Sequence, residues 1–162
     1  MSGRLASEIG QSKAFDSLEE EALLNLARTH EFLQQRGAEF FKQFGLTATQ
    51  YNILRILRGA GPAGISCSQA AERMVTADPD ITRLLDRLES RHLIERERSK
   101  EDRRVVMSRI TVDGLNLLKT IDKPLNQFNK RNLGHLGRER LEQLIENLES
   151  IRCAGASPVR AL

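Results

Sequence analysis

The sequence has 162 residues, with 25 Lys and Arg against 22 Asp and Glu, and two cysteines, Cys67 and Cys153. Its length suits one compact domain, no apolar run is long enough to cross a bilayer, and two distant cysteines make no disulfide framework. The N-terminus lacks the apolar core of a secretory signal, so we expect a cytoplasmic protein with reduced thiols and no membrane partner.

Two amphipathic helices are predicted in the first part of the chain. Ser17 and Thr47 each precede a Glu or Gln by three residues, which is the capping-box pattern that begins a helix. The apolar spacing then predicts helices at about residues 18–44 and 48–58. The glycine-rich run 59–64 predicts a loop, because a helix does not tolerate that density of Gly and Pro.

A short strand at 65–67 and two further helices are expected next. Ser66 with Gln69 forms a third capping box, which predicts a short helix to about residue 74. The following helix should start at Asp78-Pro79, since Asp is a good N-cap and Pro suits the first helical position. It should run to about His92, with one apolar stripe facing inward, formed by Ile81, Leu84, Leu85 and Leu88.

Strand candidates follow at Leu93–Arg98 and Val105–Ile110, and a charged turn joins them, Lys100-Glu101-Asp102-Arg103-Arg104. Helix, turn, helix and hairpin in this order predict a winged helix-turn-helix. That motif holds one helix in a DNA major groove and a basic loop over the adjacent minor groove. Arg83–Arg109 contains nine basic and six acidic residues, so the positive charge lies where phosphates would be.

The second helix of the motif supplies the expected base contacts. Arg83 is the best candidate, because a guanidinium bonds bidentately to guanine O6 and N7. Thr82 can touch a thymine methyl or a phosphate, and Pro79 offers apolar contact near the start of the helix. Arg87 flanks this face. Asp80 is left open between capping the helix and accepting from a cytosine amine.

Phosphate and minor-groove contacts are expected on either side of that helix. Ser66, Ser68 and Gln69 can hold a phosphate together with helix amides, and capping alone is the alternative for Ser66. Arg103 and Arg104 lie at the hairpin turn, where one of them can insert into a narrow minor groove. We expect Asp102 to orient a nearby arginine, either Arg87 or Arg104.

Two more helices complete the chain, at about Val112–Leu133, capped by Thr111 and bent at Pro124, and at about Arg138–Arg152. Together with the first helix they carry more apolar residues than a small winged domain needs, which predicts a two-fold dimer. We therefore divide the chain into an N-terminal arm and dimerisation helix (1–46), a DNA-binding region (47–112) and C-terminal dimerisation helices (113–162). The fold class is mainly α.

Four segments resemble the MarR family of transcriptional regulators: Leu46–Leu54, Ile81–Glu89, Asp102-Arg103-Arg104 and Ile110–Gly114. The resemblance implies a homodimer that binds a pseudo-palindromic double-stranded operator, usually to repress nearby genes. It also implies a small, often phenolic or anionic, effector that binds between the dimerisation and DNA-binding parts. The chain departs from the family at His92, where the family usually has Gly, so we expect a weaker helix end there.

Other functions find less support. No nucleophile–base spacing, phosphate loop or carboxylate pair suggests an enzyme, and no cofactor is implied. His30, His92 and His135 lack metal-ligand spacing, although His30 is a minor candidate for a ligand pocket. Cys67 is expected to be a small core residue, with oxidation that disturbs DNA binding as the alternative. The rival function is a winged-helix module that binds proteins rather than a specific DNA sequence.

Overall fold

The computed structural model describes residues 4–76, 80–99 and 102–155. Over these residues helices dominate, and three short strands form one antiparallel sheet in the order β1-β3-β2, which confirms the predicted mainly α winged helix-turn-helix. The chain divides into two compact units, Met1–Leu115 and Asn116–Leu162. Within the described ranges no helix has the length and apolar character that a bilayer crossing requires. The elements are α1 (Arg4–Glu8), α2 (Leu18–Lys42), α3 (Ala48–Ala60), β1 (Ile65–Ser66), α4 (Cys67–Glu72), α5 (Ile81–Glu89), β2 (Ile94–Arg98), β3 (Val106–Ile110), α6 (Val112–Leu133) and α7 (Gly137–Gly155).

The start of the first unit contains one helix that the sequence pattern did not predict. Helix α1 is five residues long and buries Leu5 and Ala6. Helix α2 begins at Leu18 as predicted, but its capping box is only half formed: Ser17 Oγ accepts from the Glu20 amide, while the Glu20 carboxylate accepts from the Asp16 amide at 2.7 Å. It ends at Lys42, two residues before the predicted end.

Helix α3 forms the centre of the first unit. Its capping box is complete, because Thr47 and Gln50 each accept from the other's amide, and Ile53, Leu54 and Leu57 are fully buried. The predicted loop at 59–64 is wrong in part. The helix continues to Ala60 and a 3-10 turn covers Gly61–Ala63, because a single proline near the start of a turn needs no amide partner.

Strand β3 lies in the middle of the sheet and aligns the hairpin with β1. Ser108 pairs with Ile65 on one side and with Arg96 on the other. Gly64, at φ +69°, approaches β3 so closely that a Cβ there would lie 2.5 Å from the Ser108 carbonyl oxygen. Arg109 reinforces this approach by donating to the Pro62 carbonyl oxygen at 2.8 Å. The predicted hairpin is therefore confirmed.

Helix α5 is shorter than predicted, because it ends at Glu89 rather than at His92. His92 instead has φ +56°, the left-handed conformation that terminates a helix. Its amide donates to Glu89 O at 2.8 Å, and the Leu93 amide donates to Leu88 O at 3.0 Å, which is the Schellman pattern. The helix begins at Ile81 with Asp80 at the N-cap position, so the predicted start at Asp78-Pro79 is wrong, although residues 78 and 79 themselves lie outside the described residues.

Helix α6 begins in the first unit and continues into the second. It covers Val112–Leu133 as predicted, the Gly114 amide donates to Thr111 Oγ1 at 3.1 Å, and Pro124 lies inside it. In the second unit Leu118 and Ile121 are fully buried. A 3-10 turn at Gly134–Leu136 separates α6 from α7, which is longer than the predicted Arg138–Arg152.

Candidate nucleic-acid interface

The start of α4 is held by the side chains that were expected to meet a phosphate. Ser66 Oγ accepts from the Gln69 amide at 3.2 Å, and Gln69 Oε1 accepts from the Ser66 amide at 3.0 Å. Ser68 is exposed, and its hydroxyl shares a 2.9 Å hydrogen bond with that of Ser66. The cap therefore engages Ser66 and Gln69, while Ser68 keeps an exposed hydroxyl.

Helix α5 separates an apolar face from a polar one. Leu84, Leu85 and Leu88 are buried, as the predicted stripe requires, and Ile81 is half-buried. The opposite face is exposed and carries Thr82, Arg83, Asp86 and Arg87. Because this face is polar and mostly free of chain packing, it is available to a ligand from solution.

Arg83 is an exposed cation on that face. Its side chain is 76% exposed, and its Nε lies 3.2 Å from Asp80 Oδ2 one turn earlier. An exposed pair of this kind is weak, so it restrains the guanidinium without preventing it from changing partners. Asp80 occupies the N-cap position of α5 but makes no side-chain cap hydrogen bond.

The hairpin turn presents exposed arginines on a braced backbone. Arg103 and Arg104 are both exposed. Asp102 Oδ1 accepts from the Arg104 amide at 2.9 Å, and the Asp102 carbonyl accepts from the Val105 amide at 2.9 Å. Asp102 thus holds the backbone at Arg104, and its effect on either guanidinium stays a prediction. Pro79, the remaining predicted contact, lies outside the described residues.

An arginine that sequence reasoning missed ties α5 to the hairpin. The Arg96 guanidinium on β2 donates to Glu89 Oε2 at 2.5 and 2.8 Å and to Asp86 Oδ1 at 2.5 Å. The hydrogen bond to Glu89 raises the pKa of Arg96, partial burial opposes the rise, and the bond to Asp86 adds to it. This network fixes the hairpin relative to the exposed face of α5.

Several predicted residues meet around one cavity of the first unit. The cavity measures about 380 Å³ and lies between α4, α5 and the hairpin, with Ser66, Ser68, Thr82 and Arg104 in its wall. Cys67 also lines it and is half-buried, so the expected core position for Cys67 is wrong.

The other sequence candidates lie elsewhere. His30 is exposed on α2 and hydrogen-bonds Gln34 at 3.3 Å. Its neighbours Thr29 and Glu31 line an open cleft of about 400 Å³ between α1 and α2, but His30 is not in the lining. Across residues 4–76, 80–99 and 102–155, no three His, Cys, Asp or Glu side chains are grouped to hold a metal ion.

The chain is similar to known proteins both in the winged helix-turn-helix and over most of its length. The sequence model of the MarR family matches residues 46–106. The HTH-type transcriptional repressor MdtR of Bacillus subtilis (strain 168) is 31% identical over 102 residues, which is 63% of this chain and 64% of that protein.

Solved structures extend the similarity. The crystal structure of MepR from S. aureus in complex with DNA superimposes with a TM-score of 0.72 at 23% identity, covering 82% of this chain and 96% of that one. A MarR transcription factor from Planctomyces limnophilus is 47% identical, with a TM-score of 0.66, covering 83% of this chain and 98% of that one. On this similarity and on the winged helix-turn-helix described above, the chain belongs to the MarR family of DNA-binding transcriptional regulators.

Proposed function

We propose that the protein acts in the cytoplasm as a homodimer that binds a pseudo-palindromic DNA site. Each copy would place α5 in a major groove and its hairpin over the adjacent minor groove. The observation that carries the proposal is the exposed face of α5, where Thr82, Arg83 and Arg87 stand on a helix fixed by buried leucines. A rigid helix with exposed donors is what direct reading of base edges requires.

Arg83 would read a guanine, exchanging its weak contact with Asp80 for two hydrogen bonds to O6 and N7. Asp80 would accept from a neighbouring cytosine amine. Thr82 would contact a thymine methyl or a phosphate, and Arg87 a phosphate on the flank of the helix. Pro79 is proposed as an apolar contact near the start of the helix.

The hairpin would supply the contact to the minor groove. Arg103 and Arg104 are exposed, and Asp102 holds the Arg104 backbone amide, so the turn presents arginine from a fixed position. A narrow minor groove concentrates negative potential and attracts such a side chain. Ser66, Ser68 and Gln69 would hold the phosphate between the two grooves with the first amides of α4.

We infer the homodimer from apolar side chains that a single chain leaves exposed to solvent. On α2, Leu18 is 80% exposed and Leu23 is 65% exposed, and Phe32 is also exposed. Ile145 and Ile151 are exposed on α7. Helices with such faces usually bury them against a partner. In the dimer the two α5 helices would lie about one DNA turn apart, ~34 Å.

Repression and release by an effector complete the proposal. MdtR, a relative in sequence, is named as a repressor, which favours repression here. The effector would be a small phenolic or anionic compound that weakens DNA binding.

A gel shift with DNA from upstream of the gene tests DNA recognition. Arg83→Ala should weaken binding by roughly 1–3 kcal/mol and relax base preference in a randomised library. Arg138→Ala is the matched control, because Arg138 is an exposed arginine paired with Glu142 at 2.8 Å outside the first unit. Unchanged affinity and base preference in Arg83→Ala would refute the proposed reading role.

A further inference from the structure

The turn that follows α5 is hydrogen-bonded to the end of one helix and to the start of another. Arg91 Nη1 donates to the Gly45 carbonyl oxygen at 2.7 Å, just beyond the end of α2. The His92 carbonyl accepts from Thr111 Oγ1 at 2.7 Å, and the Leu93 carbonyl accepts from the Thr111 amide at 3.1 Å, directly before α6. These bonds attach the end of α5 to both α2 and α6.

The Arg91 contact joins two segments that are each anchored in the core. Helix α2 ends in the same Schellman pattern as α5, with Gly45 at φ +65°, its amide donating to Lys42 O and the Leu46 amide donating to Phe41 O. Leu46 is 4% exposed. On the other side, Leu93 follows the turn and is also buried. Donor and acceptor therefore both lie beside buried residues, and the hydrogen bond connects two fixed points.

The attachment of this turn to α6 is closer than its attachment to α2. Besides its two bonds to the turn, Thr111 accepts from the Gly114 amide at 3.1 Å. The backbone at Gly114 approaches the turn so closely that a Cβ there would clash with the Leu93 carbonyl oxygen. The link to α2 through Arg91 instead uses one exposed side chain. Loss of that side chain would leave the end of α5 held by Thr111 while removing its link to α2.

The charge of Arg91 suits its position between two helix ends. The last carbonyl groups of a helix carry partial negative charge, and Arg91 follows the end of α5 and reaches the end of α2. A cation placed there is attracted by both ends. Because the side chain is exposed, this attraction adds little to the free energy of unfolding. Arg91 can therefore affect the orientation of α5 more than it affects overall stability.

We propose that Arg91 is a positioning residue that sets the separation of the two half-sites in the DNA. The inference rests on the proposed function, in which two copies pair through apolar side chains of α2. The orientation of α5 relative to α2 then determines the distance and angle between the two α5 helices. One base pair changes the separation of two half-sites by about 3.4 Å and their rotation by about 35°. A dimer with fixed α5 helices accepts one spacing, whereas a dimer whose α5 helices can tilt accepts several.

The test uses a DNA site that the full chain selects from a randomised library, together with versions that have one base pair inserted or removed between the halves. The parent chain should bind the selected spacing at least tenfold more tightly than either altered spacing. Arg91→Ala should lower this ratio at least threefold, whereas Arg91→Lys, which keeps the charge and a donor, should preserve it. Arg138→Ala, at an exposed arginine outside the first unit, is the matched control and should also preserve it.

The ratio between spacings separates positioning from the other roles that Arg91 could have. A purely structural role would lower Tm and weaken binding to every spacing by the same factor. A direct phosphate contact would also weaken binding to every spacing equally, and would make the affinity less dependent on salt. Either of these results, or an unchanged ratio, would overturn the proposal.

A distance measurement within one chain tests the same contact without DNA. Nitroxide labels are attached after Glu39→Cys on α2 and Arg83→Cys on α5, both at exposed positions, in a chain that also carries Cys67→Ala and Cys153→Ala. Dilution with unlabelled protein restricts the signal to pairs within a chain. Arg91→Ala should broaden the distribution of label-to-label distances by about half, and equal widths would overturn the proposal. A parent chain that binds no DNA would refute the proposed function, and these distances would still decide whether Arg91 positions α5.

Discussion

Helices α5 and α2 are both amphipathic, but one chain buries their apolar residues to different extents. Helix α5 buries Leu85 and Leu88 completely within one chain and turns its polar face to solvent. Helix α2 buries Phe40 and Phe41 near its C-terminal end and leaves Leu18 and Leu23 exposed. A single chain therefore completes the packing of α5 but not that of α2.

The difference separates two kinds of binding surface. The outer face of α5 is polar and lies opposite buried leucines, which suits a ligand that is recognised by hydrogen bonds, such as DNA. Helix α2 leaves apolar side chains such as Leu18 and Leu23 in solvent, which suits a permanent partner that removes them from water. We therefore assign the first surface to DNA and the second to another copy of the chain.

The largest expected effect tests whether the buried leucines of α5 stabilise the fold of a single chain. Leu88→Ala should lower the free energy of unfolding by about 2–5 kcal/mol, because it removes buried methyl groups and leaves a cavity. Val75→Ala is the control, since Val75 is exposed and its truncation should cost less than about 0.5 kcal/mol. Urea denaturation measures both. Equal small losses would mean that α5 does not depend on its buried stripe.

A smaller effect is expected at the exposed face of α2. Leu23→Asp should raise the dissociation constant of the dimer roughly 30-fold, about 2 kcal/mol, because a carboxylate would be buried at the interface. Sedimentation equilibrium measures this constant. Val75→Asp, which charges another exposed valine, should leave it unchanged. A monomeric parent protein at micromolar concentration would remove α2 from any dimer interface.

The sequence predicted the starts of the helices better than their ends. A capping box is a local pattern, so Ser66 with Gln69 and Thr47 with Gln50 could be read directly. The end of α5 was missed because His92 adopts a left-handed conformation that Gly usually supplies. Helix α1 was missed because five residues are too few to show a helical period. Its visible feature in the structure is the burial of Leu5.

Helical periodicity predicted which residues form the polar face of α5. It did not predict the contacts that hold this helix against the hairpin. A step of about 100° per residue predicted that Thr82 and Arg83 would be exposed. The contacts of Arg96 with Asp86 and Glu89 depend on how β2 packs against α5, which spacing along the chain does not encode. The cavity beside Cys67 depends on the same packing.

Arg96 provides a prediction about the link between α5 and the hairpin. Arg96→Lys keeps the charge but loses the fork that reaches Asp86 and Glu89 together. We expect a loss of about 1.5 kcal/mol in the free energy of unfolding, together with weaker DNA binding. Arg98→Lys, at the exposed end of the same strand, is the control and should change neither. If Arg96→Lys lowers stability but leaves DNA affinity unchanged, the network does not position the hairpin for DNA.

The smallest expected effect concerns the end of α5. The left-handed conformation of His92 is unfavourable for a residue with a Cβ, whereas glycine adopts it without that penalty. His92→Gly should therefore stabilise the protein by about 1 kcal/mol. His92→Ala separates the backbone from the side chain, because it removes the exposed imidazole but keeps the Cβ. It should leave stability near that of the parent. Equal stabilisation in both variants would instead place the cost in the imidazole, and thermal denaturation distinguishes the two. In either case the buried stripe, rather than the residue at this end, would hold α5 in place.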